Sequence, residues 1–195
     1  MYLFEKRARK KGFRRIAGID EAGRGPLAGP VVAACVVLSA PIPGVNDSKK
    51  LSEKIRERLF DKIMAGAEVG VGIISESIID EINIYWASCL AMKQAFDNLP
   101  VKPDYVLVDG RMRLDISPPY ESIVKGDQKS ASVAAASIIA KVTRDRIMRE
   151  YHKLYPQYEY ERHKGYPTRR HRELIKIFGP SPIQRKTFRC EPVPS

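Results

Sequence analysis

The sequence is poor in cysteine and has no long apolar segment. Its three cysteines, Cys35, Cys89 and Cys190, lack metal-type spacing and cannot all pair, so we expect a reducing compartment and no disulfide framework. The longest apolar run, residues 31–38, is too short to cross a bilayer, and no signal-peptide segment follows the basic amino terminus. These absences predict a soluble, cytoplasmic protein, and we expect a monomer.

Acidic residues are scarce at both ends of the chain, which has a net charge of +11. Residues 5–15 contain seven Lys or Arg against one acidic residue, and residues 162–189 contain nine against one. The middle, residues 16–161, has 18 basic and 20 acidic side chains and is nearly neutral. Basic ends around such a body favour a polyanionic partner bound from outside. The alternative is that the ends only keep the chain in solution.

The 195 residues suit one main domain with a small appendage, and no internal repeat is present. Five apolar runs predict strands at about 16–19, 29–38, 67–75, 105–108 and 120–124. Four helices are predicted from their capping residues: Ser52 to about 65, Ser77 with Asp80 as a capping box to about 98, Ser130 to about 154, and Thr168 to about 178. Strands that alternate with helices predict an α/β fold.

Two adjacent carboxylates, Asp20 and Glu21, end the first predicted strand. Bare burial would be very costly, whereas a divalent cation at the mouth of the strand would bind their oxygens. Because side chains alternate along a strand, the two should point apart. Either the strand breaks at Glu21, or Glu21 contributes partly through its backbone carbonyl. The alternative is a solvated strand end with no ligand.

Asp109 ends another buried strand in the same way. Sites in open α/β sheets gather at the carboxyl ends of strands, so two strands with this ending favour a site there. Asp127 lies just before the helix capped by Ser130, where the helix dipole stabilises a negative charge. A capping role alone is the alternative for Asp127.

Glycines flank Arg24 immediately after the first strand. The segment Gly23-Arg24-Gly25 permits positive φ and a close approach of the backbone to a ligand. Its N–H groups are therefore candidates for substrate contact, and an ordinary turn is the alternative.

Four carboxylates in one pocket would repel one another unless cations neutralised them. No Ser/His/Asp or Cys/His arrangement competes with them as a catalytic group. The cluster suits two-metal phosphodiester hydrolysis, in which one ion orients hydroxide and another stabilises the leaving oxygen. Mg²⁺ keeps several waters and uses substrate phosphate, so nucleic acid would complete the site.

Aromatic and basic residues are mixed in the last section of the chain. We expect the three tyrosines of residues 155–160 to pack this section on the body, with stacking on nucleic acid as the alternative. Arg169, Arg170 and Arg172 lie on or near the last predicted helix and are candidates for phosphate contacts.

These motifs together closely resemble ribonuclease HII, the prokaryotic type 2 ribonuclease H family. The resemblance covers nearly the whole chain, and its motifs occur in the family's order at residues 16–26, 47–52, 108–110, 125–127, 134–141, 164–168 and around Pro182. It implies a ribonuclease H-like mixed five-stranded sheet flanked by helices, with the first three strands antiparallel. It also implies a catalytic domain over residues 1–154 and a basic helical extension over residues 155–195 packed on it.

The implied activity is endonucleolytic cleavage of RNA in RNA–DNA hybrids, with Mg²⁺ or Mn²⁺ as cofactor. It includes cleavage 5′ to a single ribonucleotide in duplex DNA, and it leaves 3′-hydroxyl and 5′-phosphate ends. The family's catalytic metal ligands fall on Asp20, Glu21, Asp109 and Asp127. Its substrate-binding residues fall on Gly23, Arg24 and Gly25, which contact the ribose, on Tyr166 at the RNA-to-DNA junction, and on the loop Ser48, Lys49 and Lys50.

Two other functions compete with this one. Another nuclease with a ribonuclease H-like sheet, such as a resolvase or an exonuclease, would also use clustered carboxylates but would not need a ribose-contacting segment. A non-catalytic basic nucleic-acid-binding module would explain the basic ends but not four acids beside a polyanion.

Overall fold

Five strands form one mixed sheet in the computed structural model, which describes residues 1–45 and 51–189. The strands are β1 (Ile16–Ala22), β2 (Val31–Leu38), β3 (Ala67–Ile74), β4 (Tyr105–Asp109) and β5 (Tyr120–Ile123). Their order is β3-β2-β1-β4-β5, with β2 antiparallel to both β1 and β3, and β4 parallel to both β1 and β5. The predicted sheet, with its first three strands antiparallel, is confirmed.

Six α-helices surround this sheet within the described ranges. They are α1 (Leu3–Lys10), α2 (Glu53–Gly66), α3 (Glu76–Asp97), α4 (Ala131–Leu154), α5 (Tyr160–His163) and α6 (Arg169–Phe178). The sequence predicted α2, α3, α4 and α6 but neither α1 nor the single turn of α5.

The centre of the sheet is buried on both faces because α3 covers one face and α4 the other. Alternate β2 residues join different clusters, so Ala33 and Cys35 pack with α3 while Ala34 and Val36 pack with α4. Each fully buried valine contributes about 1.5–3 kcal/mol by leaving water. The continuous apolar run of β2 therefore reflects burial on two sides.

Gly18 lets α4 lie directly on β1. A methyl group at Gly18 would collide with the main chain of Ser132 and Val133 at the start of α4. Only glycine permits this approach. The close contact brings the next turns of α4 over the end of β1, where Asp20 lies.

Three of the predicted capping residues are confirmed. The side chains of Ser52, Ser130 and Thr168 accept hydrogen bonds from the backbone N–H groups three residues later, at 3.4, 3.2 and 3.2 Å respectively. Each of these bonds satisfies a donor that has no partner within its helix.

The predicted capping box at Ser77 is wrong. α3 begins at Glu76, with Ser75 as its N-cap residue, and the hydroxyls of Ser75 and Ser77 hydrogen-bond at 2.8 Å. Asp80 does not bond back to the helix start, because its carboxylate accepts the backbone N–H of Lys186 at 2.8 Å. The Asp80 side chain, which the local pattern assigned to a helix cap, instead makes a long-range contact.

α3 also changes direction at Asn83, which has φ of 64° inside the helix. The Asn83 side chain accepts the backbone N–H of Tyr85 at 2.9 Å and so caps the second part of the helix.

The last section of the chain packs on the body through its tyrosines. Tyr158 and Tyr160 are buried with their rings stacked at 5.6 Å, which confirms the packing expected of them. Beyond α6, the carboxy-terminal segment (residues 181–188) returns to the body. There the Gly29 N–H donates to the Ile183 carbonyl at 2.9 Å. The domain boundary at residue 154 stays a prediction.

The two cysteines in the described ranges, Cys35 and Cys89, are free, and burial raises the pKa of both thiols. Cys190 lies outside the described residues. Within the same ranges, none of the helices has the length and apolar character needed to cross a membrane.

Candidate active site

Most of the predicted site residues surround one open cavity of about 440 Å³. Its lining includes Asp20, Glu21, Asp109, Tyr166 and residues 23–25. They come from two strands, the loop after β1 and the loop before α6. The loop Ser48, Lys49 and Lys50 lies outside the described residues.

The pairing of β1 with β4 brings the strand-end carboxylates together. The two strands run parallel, with Ile19 beside Val108, so Asp20 and Asp109 follow at the same edge of the sheet. β1 does not break at Glu21 but continues to Ala22, so the first of the two alternatives, a strand break, is wrong. Asp20 points to the α4 face, where it meets the Ser137 hydroxyl, and Glu21 contacts Arg24 instead. The two adjacent carboxylates therefore approach the cavity from different sides.

The three carboxyl groups repel one another. Burial raises the pKa of Asp20 well above its ordinary value, and the charges of Glu21 and Asp109 raise it further. Burial also raises the pKa of Glu21, against the opposing charge of Arg24. A divalent cation would remove this repulsion and offset the cost of burying charged carboxylates. The three carboxyl groups therefore fit a metal site.

The predicted metal ligands are not gathered around one point. Across residues 1–45 and 51–189, no group of three or more His, Cys, Asp or Glu side chains is arranged to hold a metal ion. Asp20, Glu21 and Asp109 share a cavity rather than a closed coordination shell. Hard divalent cations keep waters and take substrate oxygens, so a cation here would need ligands besides these carboxylates.

Asp127 lies next to this group but is not among the residues that line the cavity. It is fully buried in a 3₁₀ turn, Gly126–Gln128, directly before α4. The Gly126 N–H donates to Asp109 Oδ1 at 2.6 Å, so the turn is tied to the site through its backbone. Ser130 supplies the N-cap of α4, and a ligand role for Asp127 stays a prediction.

The 23–25 segment turns sharply beside the carboxylates. Gly23 has φ of 102°, a conformation that favours glycine. The Arg24 guanidinium lies 3.4 Å from Glu21 Oε1 and is half-exposed. The segment thus presents backbone and a cation to the cavity next to the carboxylates.

Tyr166 faces the 23–25 segment across the cavity. A methyl group at Gly25 would lie 3.9 Å from the Tyr166 ring. The Lys141 ammonium lies 5.4 Å from the centre of that ring, at cation–π distance. The ring is partly exposed, which leaves a face for a ligand.

Two buried histidines fix the backbone of Tyr166. The Tyr166 N–H donates to the His163 carbonyl at 2.9 Å, and the Tyr166 carbonyl accepts from His171 Nδ1 at 3.0 Å. The imidazole rings stack at 4.2 Å, and burial lowers the pKa of both. The backbone of the tyrosine is therefore held by two buried histidines whose imidazole rings stack.

Three further residues line the cavity although they were not among the predicted site residues: Arg56, Ser137 and Lys141. Ser137 and Lys141 are four residues apart on α4, so they share one face. Lys141 donates to Asp145 at 2.7 Å, one turn further on. In the sequence, Ser137 and Lys141 could have been recognised as a polar stripe on a helix otherwise rich in Ala and Ile. Arg56 left no such pattern.

Comparison with known proteins gives the same assignment. Residues 17–190 match the family model described as Ribonuclease HII. The Ribonuclease HII of Enterococcus faecalis is 54% identical over 191 residues, which are 96% of this chain and 74% of that protein.

Solved structures share this fold. The ribonuclease H2 of Pyrococcus horikoshii superposes with a TM-score of 0.78 at 31% identity, covering 91% of this chain and 95% of that one. Bst-RNase HIII in complex with Mn²⁺ superposes with a TM-score of 0.69 at 21% identity, covering 88% of this chain and 65% of that one. At 21% identity the second likeness concerns the fold alone.

The mixed sheet, with carboxylates where β1 and β4 end together, defines a nuclease of the ribonuclease H-like fold. Because the sequence match extends over almost the whole chain, the protein belongs to the ribonuclease HII family. It is a type 2 ribonuclease H endonuclease, as the resemblance of its motifs implied.

Proposed function

We propose that this enzyme hydrolyses the RNA strand of RNA–DNA hybrids and also cuts 5′ to a single ribonucleotide in duplex DNA. The products carry 3′-hydroxyl and 5′-phosphate ends. The observation that supports this is one cavity shared by three strand-end carboxylates, the 23–25 segment and Tyr166. All of them come from one chain, so we propose that a monomer suffices.

Asp20, Glu21, Asp109 and Asp127 are the proposed ligands of two divalent cations, Mg²⁺ or Mn²⁺. Bound there, the cations would activate a water and stabilise the negative charge that develops during phosphodiester hydrolysis. The raised pKa of Asp20 and Glu21 supports a cationic partner, because repulsion and burial both oppose bare carboxylates. Mn²⁺ is the ion in the Bst-RNase HIII structure.

The remaining residues of the cavity would bind and orient the nucleic acid. Lys141 and Arg24 are two of the cationic side chains that line the cavity, and they suit the phosphates that flank the scissile bond. Tyr166 would stack on the deoxyribose next to the ribonucleotide and hydrogen-bond the ribonucleotide itself. The loop Ser48, Lys49 and Lys50 is the proposed further contact with substrate.

The ribose 2′-hydroxyl separates RNA from DNA and is both a donor and an acceptor. Backbone groups of Gly23, Arg24 and Gly25 are proposed to contact it, because glycine permits a close approach. The 2′-hydroxyl is then held for recognition, and water is the nucleophile. A 2′,3′-cyclic phosphate product would contradict this mechanism.

The test is incubation with Mg²⁺ or Mn²⁺ and three duplexes: all-DNA, DNA with one ribonucleotide, and an RNA–DNA hybrid. We expect cuts in the second and third substrates only, with the cut in the second 5′ to the ribonucleotide. Cleavage of all-DNA would favour a resolvase or an exonuclease. Binding without any cleavage would favour a non-catalytic module.

A further inference from the structure

Two buried arginines lie beneath the loop that includes the 23–25 segment. Arg185, in the carboxy-terminal segment, is fully buried, and Arg144, on α4, is fully buried beside it. In the described part of the chain neither forms an ion pair, and every hydrogen bond found for their guanidinium groups goes to a main-chain carbonyl. Buried guanidinium groups without a carboxylate partner are costly, so this arrangement calls for a function.

The Arg185 guanidinium donates to five carbonyl oxygens of residues 23–30. The acceptors are Gly23 (2.6 Å), Arg24 (3.2 Å), Pro26 (2.9 Å), Gly29 (2.9 Å) and Pro30 (3.2 Å). Two of these carbonyls belong to the 23–25 segment itself. The planar guanidinium has five N–H donors in fixed directions, so it specifies one conformation of the loop.

Arg144 joins the same loop to the segment before Tyr166. Its Nε donates to the Pro30 carbonyl at 2.9 Å, and its Nη1 donates to the Lys164 carbonyl at 2.9 Å. A methyl group at Gly23 would collide with Arg144 Nε. The Tyr166 ring lies 5.7 Å from the Arg144 guanidinium carbon. One side chain thus joins the loop after β1 to the segment that precedes Tyr166.

Burial lowers the pKa of Arg144 to about 10 and that of Arg185 to about 9, with the charge of Arg144 a second cause for Arg185. Both values lie above neutral pH, so both groups keep the proton that makes every nitrogen a donor.

We infer that Arg185 and Arg144 are positioning residues that shape the 23–25 main chain for contact with the ribose, a role that rests on the function proposed above. Arg185 acts from the carboxy-terminal segment, far along the chain from the catalytic strands. That segment is therefore part of the ribose-contacting apparatus.

The backbone of Arg185 is held independently of its side chain. Its N–H donates to the Leu27 carbonyl at 2.8 Å, and Asp80 accepts the N–H groups of Lys186 and Thr187 at 2.8 and 2.9 Å. Arg185→Lys should therefore leave the segment in place. The substitution replaces five N–H donors in fixed directions by three on one nitrogen. The hydrogen bonds that specify one conformation of the loop are then lost.

The test compares the affinities for two duplexes, all-DNA and DNA with one ribonucleotide, in the presence of Mg²⁺. An Asp109→Asn background prevents cleavage during the measurement. We expect Arg185→Lys to lower the preference for the ribonucleotide by about tenfold, the effect of one misplaced hydrogen bond. Affinity for all-DNA should change little, because the basic ends remain.

Tyr160→Phe is the matched control. It removes the hydroxyl that hydrogen-bonds Ser181 in the same segment and leaves both guanidinium groups intact. We expect it to lower the melting temperature without changing the preference. An equal loss of preference in Tyr160→Phe at an equal melting temperature would assign the effect to general packing and overturn the inference.

Arg144→Lys is the second test, for the case in which Arg185→Lys does not fold. It should lower the same preference, and an unchanged preference would also overturn the inference. Equal affinity of the background protein for both duplexes would count against the 23–25 segment as a ribose contact. Failure of the unmodified enzyme to cut at the ribonucleotide would count against the proposed function instead.

Discussion

At the scale of single residues, Asp20 and Asp109 lie side by side because β1 and β4 end together. Each Asp→Asn change keeps the shape of the side chain but removes a charge from the proposed metal site. We expect cleavage with Mg²⁺ to fall more than about a hundredfold in either variant, while substrate binding persists.

The matched control is Asp61→Asn, an exposed aspartate on α2, which should cleave normally. Near-normal turnover by Asp20→Asn or Asp109→Asn at saturating Mg²⁺ would refute their assignment as ligands. For the buried Asp127 we expect Asp127→Ala to cause a severe loss that need not be complete. Full activity there would leave it only a structural role.

Tyr166 differs from the carboxylates because its proposed role depends on the substrate. Tyr166→Ala should reduce cleavage at a single ribonucleotide by about 10- to 100-fold, the range expected for a lost stacking contact. Cleavage within a long hybrid should fall less, because other riboses still meet the 23–25 segment. Steady-state cleavage of both substrates measures the difference. Tyr166→Phe keeps the ring but lacks the hydroxyl proposed to bond the ribonucleotide, so its loss at a single ribonucleotide should be smaller than that of Tyr166→Ala. Equal losses on both substrates in Tyr166→Ala would exclude junction sensing.

His163 makes folding sensitive to pH. Burial, with repulsion by His171, lowers its pKa from the ordinary 6.5 to about 4, so the unfolded chain binds the proton more readily than the folded protein. The stability from the neutral ring is complete above pH 6.5 and is lost as the pH falls toward 4. We expect His163→Gln to reduce the drop in unfolding free energy between about pH 7 and about pH 5.

Urea unfolding at the two pH values measures this. Glu159 and Lys164 also act on His163 but are present in both proteins, so the difference between the proteins isolates the imidazole. An identical pH dependence would mean that the ring is not kept neutral by folding.

At the scale of elements, the turn after β1 places a glycine where no side chain fits. A methyl group at Gly23 would collide with Arg144 and come within 2.7 Å of the Pro30 carbonyl, and φ is 102°. Gly12 is a natural control, because its φ is 97° and no atom lies within 4 Å of an added methyl group. Both alanine variants should lose about 1–3 kcal/mol from backbone strain. Gly23→Ala should lose further stability and nearly all cleavage.

Thermal unfolding and kcat/KM for both variants measure the two effects. Normal cleavage by Gly23→Ala would show that the turn can shift to accommodate the methyl group without harm to the site. Loss of cleavage in Gly12→Ala would mean that strain alone, and not the collision, affects the site.

The elements also show how far local pattern predicts structure. The caps Ser52, Ser130 and Thr168 were predictable because a cap bonds only three residues away. The same reasoning failed at Ser77 because Asp80 bonds the carboxy-terminal segment instead. The break in α3 at Asn83 had no signal in the apolar pattern, since asparagine is common in ordinary helices and loops alike.

At the scale of the whole molecule, the basic ends should govern affinity for any nucleic acid. Arg169 and Arg170 lie on α6 in exposed ion pairs with Glu173 and Glu159, and such pairs are weak enough for phosphates to replace. Single Arg→Gln changes at 169, 170 and 172 should each weaken binding uniformly across sequences. Each should also flatten the salt dependence by about 0.9 in log–log slope if it contacts a phosphate.

Binding titrations from low to high salt measure this, with Lys93→Gln on α3 as a charge-matched control. Truncation after Tyr160 is a poorer experiment, because it also removes Tyr166 and Arg185. An unchanged slope in all three variants would make α6 a structural element rather than a phosphate contact.

Local sequence pattern was enough to identify the α/β alternation, the strand ends that carry Asp20, Glu21 and Asp109, and the glycines around Arg24. These features are local, since strand burial and the residues that follow a strand are read within a few positions. The packing of the whole chain was needed to show that Ser137 and Lys141 face the same cavity, and that Arg185 bonds Gly23 from 162 residues away. A guanidinium that serves distant carbonyl groups leaves no periodic pattern, because its partners are main-chain atoms that every residue possesses.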